Sequence, residues 1–267
     1  MTIIDFHTHF FPEEIAPRAI DKLIETSEGM KNYTDGTLSG LISSMKQNGV
    51  THSVTLPVST KPPQVQGINR SSAQLKEHSD IIPFGTLHPE MDNWEQEIDF
   101  LVTSQVKGIK LHPEYQYFYI DDKTLYPIYD RLSEAGIIVV FHTGKDPGPF
   151  TCDHALPEAV KRVRHLFPKL KMVAAHMGGW KVWERVEEVL CGENIWFDTS
   201  AVNKFMPQKE FVRLCRKHGT ENILFGSDSP WYDVGECIQW VDKSTLSSKD
   251  KELIFEKNAS FLLGLSR

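Results

Sequence analysis

The sequence predicts an α/β fold, a single eight-stranded (β/α)8 barrel of the TIM type that spans residues 1–267 as one domain. Short apolar runs alternate with amphipathic segments along the chain, which is typical of parallel strands joined by helices. About eight such runs occur, and 267 residues is the usual length of one such barrel. An open doubly wound sheet is the alternative, but no Gly-x-Gly-x-x-Gly turn follows the first strand, so dinucleotide binding is not supported.

Each predicted strand is a short run of apolar and β-branched residues bounded by polar or turn-forming residues. The first strand begins at Ile3 and leaves the sheet at Pro12. The seven later strands are predicted at 50–58, 81–88, 106–112, 137–142, 170–176, 194–200 and 222–228. No linker rich in proline or serine divides the chain, so we expect one domain.

The segments between the strands carry apolar residues at helical spacing. In the first segment, Ile15, Ala19, Leu23 and Ile24 form one apolar stripe behind an acidic start, which suits a helix amino terminus. The predicted helices are 13–26, 39–47, 67–78, 92–104, 122–135, 155–166, 180–190, 207–218, 234–243 and 249–263. A crossover of this kind is what successive parallel strands require.

Composition and charge point to a small-molecule substrate. The net charge of -7 and the pI near 5.9 argue against a nucleic-acid partner. The apolar runs are too short to span a membrane, so no membrane partner is expected. The four cysteines lie apart without Cys-x-x-Cys spacing, which predicts reduced thiols and a cytoplasmic location.

The first predicted strand ends in two histidines, His7 and His9. Side chains alternate across a strand, so both imidazoles lie on one face. Two neutral imidazoles suit zinc or another first-row metal ion. An isolated His-x-His pair is more often structural, so this pair predicts a metal site only if other strands contribute.

Four later strands also carry a titratable or metal-competent residue near their carboxyl ends. These residues are Lys110, His142, His176 and Asp228. The carboxyl ends of all strands of a parallel barrel meet at one face, where the active site lies. The sequence therefore predicts that these side chains join the histidine pair in one site.

Five motifs, in this order, resemble the amidohydrolase superfamily. They are His7-Thr8-His9, the Gly-Ile-Lys-Leu-His-Pro run at 108–113, the Phe-His-Thr-Gly run at 141–144, the Ala-His-Met-Gly-Gly run at 175–179 and the Phe-Gly-Ser-Asp-Ser-Pro run at 225–230. They are most similar to the amidohydrolase-related branch (amidohydrolase 2), which includes the enzymes like aminocarboxymuconate semialdehyde decarboxylase. The resemblance covers nearly the whole chain and implies a TIM barrel of the metallo-dependent hydrolase type.

The resemblance also implies roles for individual residues. It places metal ligation on His7 and His9 of the first strand, His142 of the fifth and Asp228 of the eighth. His176 of the sixth strand corresponds either to a ligand of a second metal or to the catalytic acid or base. The expected cofactor is a divalent metal, most often zinc, with manganese, iron and cobalt as alternatives.

The chemistry of this donor set agrees with the resemblance. Three imidazoles and one carboxylate leave a coordination position for water, and a divalent metal lowers the pKa of bound water from ~15.7 to ~7. Asp228 could accept the proton of that water. His176 could hydrogen-bond the nucleophile or polarise the substrate carbonyl. Asp228 and His176 are therefore the predicted catalytic residues.

Lys110 distinguishes a site with one metal from a site with two. In binuclear relatives a lysine of the fourth strand is carboxylated and bridges two metals, and His176 then joins the metal shell. We favour a mononuclear site, in which Lys110 is a buried cation that binds a substrate carboxylate or pairs with Asp228. His112 and Trp180 are further candidates for substrate contact, although a loop histidine and a core tryptophan are the alternatives.

Three functions stay open from the sequence. The leading hypothesis is a hydrolase that cleaves an amide, ester or lactone bond of a small molecule carrying a carboxylate. The second is a metal-dependent, non-oxidative decarboxylase of a small unsaturated or aromatic acid. The third is a non-catalytic barrel with a structural metal. An aromatic loop at 115–119 suits a contact in a homo-oligomer as well as a contact with substrate.

Overall fold

Eight parallel strands form the centre of the protein in a computed structural model that describes residues 2–27 and 29–265. The strand segments are β1 (Ile4–Thr8), β2 (His52–Thr55), β3 (Ile81–Pro83), β4 (Gly85–Thr86), β5 (Gly108–Leu111), β6 (Ile138–Phe141), β7 (Lys171–Ala174), β8 (Trp196–Asp198) and β9 (Ile223–Leu224). β3 and β4 are two halves of the third strand of the barrel. They separate after Pro83, which has no N–H group to donate to a ladder.

Neighbouring strands pair in parallel and in chain order, from β1 to β3 and from β4 to β9. The gap between β3 and β4 is bridged by Phe84, whose N–H donates to the carbonyl of Thr55 at 3.1 Å. The ring closes between β9 and β1, where the N–H of Phe6 donates to the carbonyl of Phe225 at 2.8 Å. The predicted barrel is therefore confirmed.

Helices surround the barrel in the predicted alternation. They are α1 (Ala16–Thr26), α2 (Leu38–Asn48), α3 (Gln64–Gln74), α4 (Trp94–Thr103), α5 (Pro113–Gln116), α6 (Tyr126–Ala135), α7 (Pro157–Leu166), α8 (Trp183–Val189), α9 (Gln208–His218), α10 (Val234–Asp242), α11 (Ser248–Glu252) and α12 (Asn258–Leu263). A π-helical turn, Leu253–Lys257, joins the last two, so the predicted helix 249–263 is continuous. α5 was not predicted; it is a single turn that starts at Pro113 and is capped by the side chain of His112.

The predicted strands were too long at their carboxyl ends. β9 covers Ile223–Leu224 of the predicted 222–228, and β7 covers Lys171–Ala174 of the predicted 170–176. The polar residues that follow these strands leave the ladder because their backbones turn toward the site. His176 and Asp228 have positive φ angles of 59° and 67°, which no strand residue adopts.

Apolar residues pack in two clusters. The larger cluster lies between the strands and the surrounding helices. The smaller one combines side chains of β1, β2, β6 and β7 with α12, which packs against β1 and β9. No helix in 2–27 or 29–265 is both long and apolar enough to cross a membrane.

Candidate active site

The barrel brings the predicted site residues together at the carboxyl ends of its strands. His7 lies on β1, Lys110 on β5, and His142 directly after β6. His176 and Asp228 follow β7 and β9. All five are buried, and Lys110 and His7 are each only 1% exposed. Buried polar groups of this kind are stable only when they are paired, so their partners define the chemistry of the site.

His7, His9 and Asp228 form the first group of potential metal ligands. Asp228 Oδ1 lies 3.4 Å from His7 Nε2 and 3.2 Å from His9 Nε2. The three donor atoms lie within 4.8 Å of one another. The first and last strands of the barrel therefore meet at this group.

The outer nitrogen of each of these histidines donates a hydrogen bond. His7 Nδ1 donates to Asp198 Oδ2 at 2.8 Å, and His9 Nδ1 donates to the carbonyl of Leu56 at 2.7 Å. A neutral imidazole has a single N–H, so both Nε2 atoms carry lone pairs. These lone pairs face the oxygen of Asp228. Two lone pairs and a carboxylate in this arrangement attract a cation, so the group fits a divalent metal ion.

His142 and His176 present a similar pair of inner nitrogens. His142 Nε2 donates to the carbonyl of Lys145 at 2.9 Å, and His176 Nδ1 lies 2.8 Å from the hydroxyl of Ser200 and 3.2 Å from its carbonyl. Their other nitrogens, His142 Nδ1 and His176 Nε2, are 3.0 Å apart. The ring of His176 also lies next to that of His7, with a centroid separation of 5.2 Å. These two inner nitrogens are available to a metal ion or to a transferred proton.

In a second cluster of potential ligands, N–H groups and not lone pairs face the carboxylate. His112, stacked on His142 at a ring separation of 4.2 Å, accepts the N–H of Tyr115 at Nδ1 and so carries its proton on Nε2. That Nε2 and His142 Nε2 face Asp146 Oδ2 at 3.5 and 3.4 Å. The two N–H groups and the carboxylate satisfy each other's hydrogen-bonding needs, so no cation is required. This cluster therefore orients the two rings and does not need an ion.

Burial sets the protonation states of the site. Burial, with a smaller effect of the nearby Lys110 charge, lowers the pKa of His7 to about 3. Burial also lowers the pKa of His142 and of His176. It would raise the pKa of Asp228, but the surrounding histidines hold that pKa below its usual range. Neutral imidazoles and an ionised carboxylate are the states that bind a metal.

Lys110 is the one lysine among the predicted site residues. Its Nζ lies 3.3 Å from His7 Nε2, and burial lowers the pKa of its ammonium group to about 8. The carboxylates of Asp198 and Asp228 oppose this shift. The side chain is therefore placed where either a substrate carboxylate or a second metal ion would meet it.

The two predicted substrate contacts have different surroundings. His112 lies beside the site because it stacks on His142. The indole of Trp180 is 5% exposed, donates to the carbonyl of Ala201 at 3.1 Å and packs edge-on against Phe205. The structure thus places Trp180 in the packed wall of the loops that follow β7 and β8.

Sequence reasoning missed the residues that orient the histidines. Asp198 and Ser200 contact His7 and His176, and Asp146 faces His142. The signal for Asp198 was present, because it also stands at the carboxyl end of a strand. Asp146 and Ser200 lie in loops, where position in the sequence does not predict a contact.

Glu114 supplies a test of the electrostatics beside the site. Its carboxyl is buried, Oε1 accepts the N–H of His154 at 3.0 Å, and Oε2 has no partner among the described residues. Burial raises the pKa of this carboxyl to about 8, above its ordinary 4.5. Between these values the unfolded chain loses a proton that the folded chain keeps, so the free energy of unfolding falls as pH rises, by at most about 1.4 kcal/mol per pH unit.

Glu114→Gln keeps the acceptor and removes the ionisation. We expect the variant to gain stability over the wild type as pH rises from 5 to 8, with little difference at pH 5. Urea unfolding at both pH values measures this. The exposed Glu90→Gln is the control and should track the wild type. An equal effect of Glu114→Gln at pH 5 and pH 8 would show that packing, and not charge, is responsible.

Similarity to known proteins agrees with this architecture. The structure is similar to 5-carboxyvanillate decarboxylase LigW from Sphingomonas paucimobilis, with 14% identity, a TM-score of 0.78 and coverage of 99% of each chain. It is also similar to 5-carboxyvanillate decarboxylase from Novosphingobium aromaticivorans, complexed with manganese and 4-hydroxy-3-methoxy-5-nitrobenzoic acid. The identity is 16%, the TM-score is 0.74, and the match covers 99% of this chain and 96% of that chain. A third similar structure is 2,6-dihydroxybenzoate decarboxylase from Rhizobium, with 13% identity, a TM-score of 0.73 and coverage of 99% of each chain.

Identities this low establish a common fold and nothing more. None of the curated proteins matches the sequence. The family is shown by the sequence itself, since a family model described as Amidohydrolase (the amidohydrolase 2 model) matches residues 4–265. This match covers all five motifs, and the protein therefore belongs to the amidohydrolase family.

Proposed function

We propose that the protein is a metal-dependent, non-oxidative decarboxylase of a small aromatic or unsaturated acid. The observation that carries the metal dependence is the set of inner imidazole nitrogens around Asp228. Decarboxylation is preferred over hydrolysis because three of the similar structures are decarboxylases of hydroxylated benzoates. One of those enzymes carries manganese.

His7 Nε2, His9 Nε2 and Asp228 Oδ1, which lie within 4.8 Å of one another, would hold the ion, and His142 Nδ1 is the proposed fourth donor. When bound, a divalent ion supplies a Lewis acid that polarises a substrate oxygen. Zinc is the expected ion from this nitrogen-rich set, and manganese, iron and cobalt accept the same donors. A single ion is favoured, with Lys110 and His176 completing a second site in the binuclear alternative.

The reaction exchanges a carboxylate for a proton. The bond from carbon to the carboxylate breaks, CO2 leaves, and one proton is added to the carbon, so nothing is oxidised or reduced. Lys110 neutralises the substrate carboxylate as the substrate binds. His176, with Nε2 turned into the site, delivers the proton after taking it up from solvent, and Asp228 assists this transfer. His112, which stacks on His142, is the proposed substrate contact, whereas Trp180 packs in the wall of the loops.

Hydrolysis of an amide, ester or lactone bond is the second candidate. It is favoured by the 3.0 Å approach of His142 Nδ1 to His176 Nε2, which would suit a second ion. Asp228 then accepts the proton of the attacking water. A third candidate, a barrel with a purely structural metal, is disfavoured because Lys110 and His176 are buried in the site and are not needed to fold a barrel. The single domain, the cytoplasmic location and a homo-oligomer stay predictions.

Product analysis separates the two reactions. We expect the purified protein, with Mn2+ or Zn2+ added, to release labelled CO2 from hydroxybenzoates that carry 13C in the carboxyl group. In 18O-labelled water the organic product should contain no 18O. Uptake of 18O by amide, ester or lactone substrates, with no CO2 released from the acids, would overturn decarboxylation and support the hydrolase.

A further inference from the structure

The hydrogen bonds of the site converge on one carboxylate, Asp198, at the end of β8. Its side chain is fully buried. Oδ2 accepts the Nδ1–H of His7 at 2.8 Å. Oδ1 accepts the backbone N–H groups of His176 and Ser200 at 3.0 and 3.1 Å, together with the hydroxyl of Ser200. Neither the motifs of the family nor the predicted ligand set includes Asp198.

The directions of these hydrogen bonds follow from the chemistry of the groups. Oδ1 of Asp198 accepts two backbone N–H groups, whose direction is fixed, so this oxygen carries no proton of its own. An ionised carboxylate only accepts, so the single hydroxyl proton of Ser200 points to Asp198. The lone pairs of that hydroxyl then accept the Nδ1–H of His176 at 2.8 Å.

We propose that Asp198 is a positioning residue that sets the tautomers of two histidines at once. It acts directly on His7 and, through the hydroxyl of Ser200, on His176, whose Nδ1–H also faces the backbone carbonyl of Ser200 at 3.2 Å. Both imidazoles then carry their proton on Nδ1 and turn an Nε2 lone pair into the site. The inference rests on the proposed function, because those two lone pairs serve a metal ion and a transferred proton.

Asp198 also stabilises the backbone that presents His176. His176 and Met177 have positive φ angles of 59° and 55°, a conformation that is unfavourable for residues other than glycine. Asp198 binds both amides: its Oδ1 accepts from His176, and its carbonyl accepts from Met177 at 2.7 Å. One residue therefore fixes both the position and the protonation of His176.

The chain of contacts predicts different effects for two substitutions. Asp198→Asn replaces one acceptor with an NH2 donor, so in either orientation of the amide one of the two histidines loses its partner. Ser200→Ala removes the hydroxyl that contacts His176 Nδ1 at 2.8 Å and His7 Nδ1 at 3.1 Å. It keeps the bond between His7 and Asp198 and the backbone carbonyl that lies 3.2 Å from His176 Nδ1. Ser53→Ala is a matched control, since Ser53 is fully buried and its hydroxyl has no partner among the described residues.

The test is 15N NMR of imidazoles in the full chain, with and without Zn2+, because the chemical shifts distinguish the two tautomers. In the wild type we expect Nδ1–H on both His7 and His176. Asp198→Asn should alter the signals of at least one of the two histidines and weaken Zn2+ binding about 10- to 100-fold, as loss of an outer-shell partner does. Ser200→Ala should alter the signals of His176 more than those of His7, which keeps its bond to Asp198, and should change the Zn2+ dissociation constant by less than about 3-fold. Ser53→Ala should alter the signals of neither histidine.

Two results would overturn the proposal. One is an Nε2–H tautomer of His7 in the wild type, which remains decisive if Asp198→Asn does not fold. The other is a folded Asp198→Asn variant with unchanged imidazole signals and unchanged Zn2+ affinity. If Zn2+ and Mn2+ do not bind the wild type at all, the proposed function fails, while the tautomers of the metal-free protein still decide the role of Asp198.

Discussion

Replacement of Asp228 by asparagine is expected to lower kcat/KM by about 10³-fold or more while leaving the barrel folded. The substitution keeps the shape of the side chain and removes the negative charge that faces His7 and His9. It therefore weakens both metal binding and proton transfer, and losses of this size are typical when a charged group that acts on the transition state is removed. Turnover of the best substrate, together with metal content and circular dichroism, measures the effect.

The control for this substitution lies in the same loop. Asp233→Asn alters a residue whose side chain caps α10 through an exposed hydrogen bond to the backbone N–H of Glu236, so we expect its activity to stay within about 3-fold of the wild type. Undiminished turnover in a folded Asp228→Asn protein would contradict both the decarboxylase and the hydrolase mechanisms.

Removal of the metal by a chelator is the second change with a large expected effect. Activity should fall by at least about 100-fold and return when Mn2+ or Zn2+ is added. The melting temperature should fall only slightly, because the closure of the barrel depends on backbone hydrogen bonds such as that from Phe6 to Phe225 and on the two apolar clusters. If the melting temperature instead falls steeply while activity is retained, the structural-metal alternative is favoured.

Elemental analysis of the same samples gives the number of ions. One ion per chain, lost in His142→Ala, supports the mononuclear site with His176 as acid or base. Two ions per chain make Lys110 a carboxylated bridge, move His176 into the metal shell and favour hydrolysis. The number of ions therefore also shows whether His142 Nδ1 and His176 Nε2, 3.0 Å apart, bind the same ion.

The positions of the main site residues were predictable because they depend on topology. In a closed parallel barrel the carboxyl ends of the strands meet at one face. The position of a histidine, lysine or aspartate near such an end is therefore enough to predict that it lies at this face. His7, His142 and Asp228 illustrate this, although they lie far apart in the chain. The family resemblance added their expected roles, and these roles stay proposals.

The orientation of the rings was not predictable from the sequence. The partners of His7 and His9 are Asp198 and the carbonyl of Leu56, and these contacts depend on how neighbouring strands stagger. The ladder between β1 and β2 shifts register between Asp5 and Thr8, so alternation along the strand alone does not give these contacts. The break of the third strand could have been anticipated, since Pro83 cannot donate to a ladder.

The closure of the barrel between β9 and β1 has a consequence for biosynthesis. His7 and His9 precede Asp228 by most of the barrel, so they leave the ribosome well before it does. A nascent chain without β9 therefore carries two imidazoles but not the carboxylate that completes the group. Contacts between distant parts of a chain form late in folding. The complete group of donors therefore exists only after β9 has paired with β1.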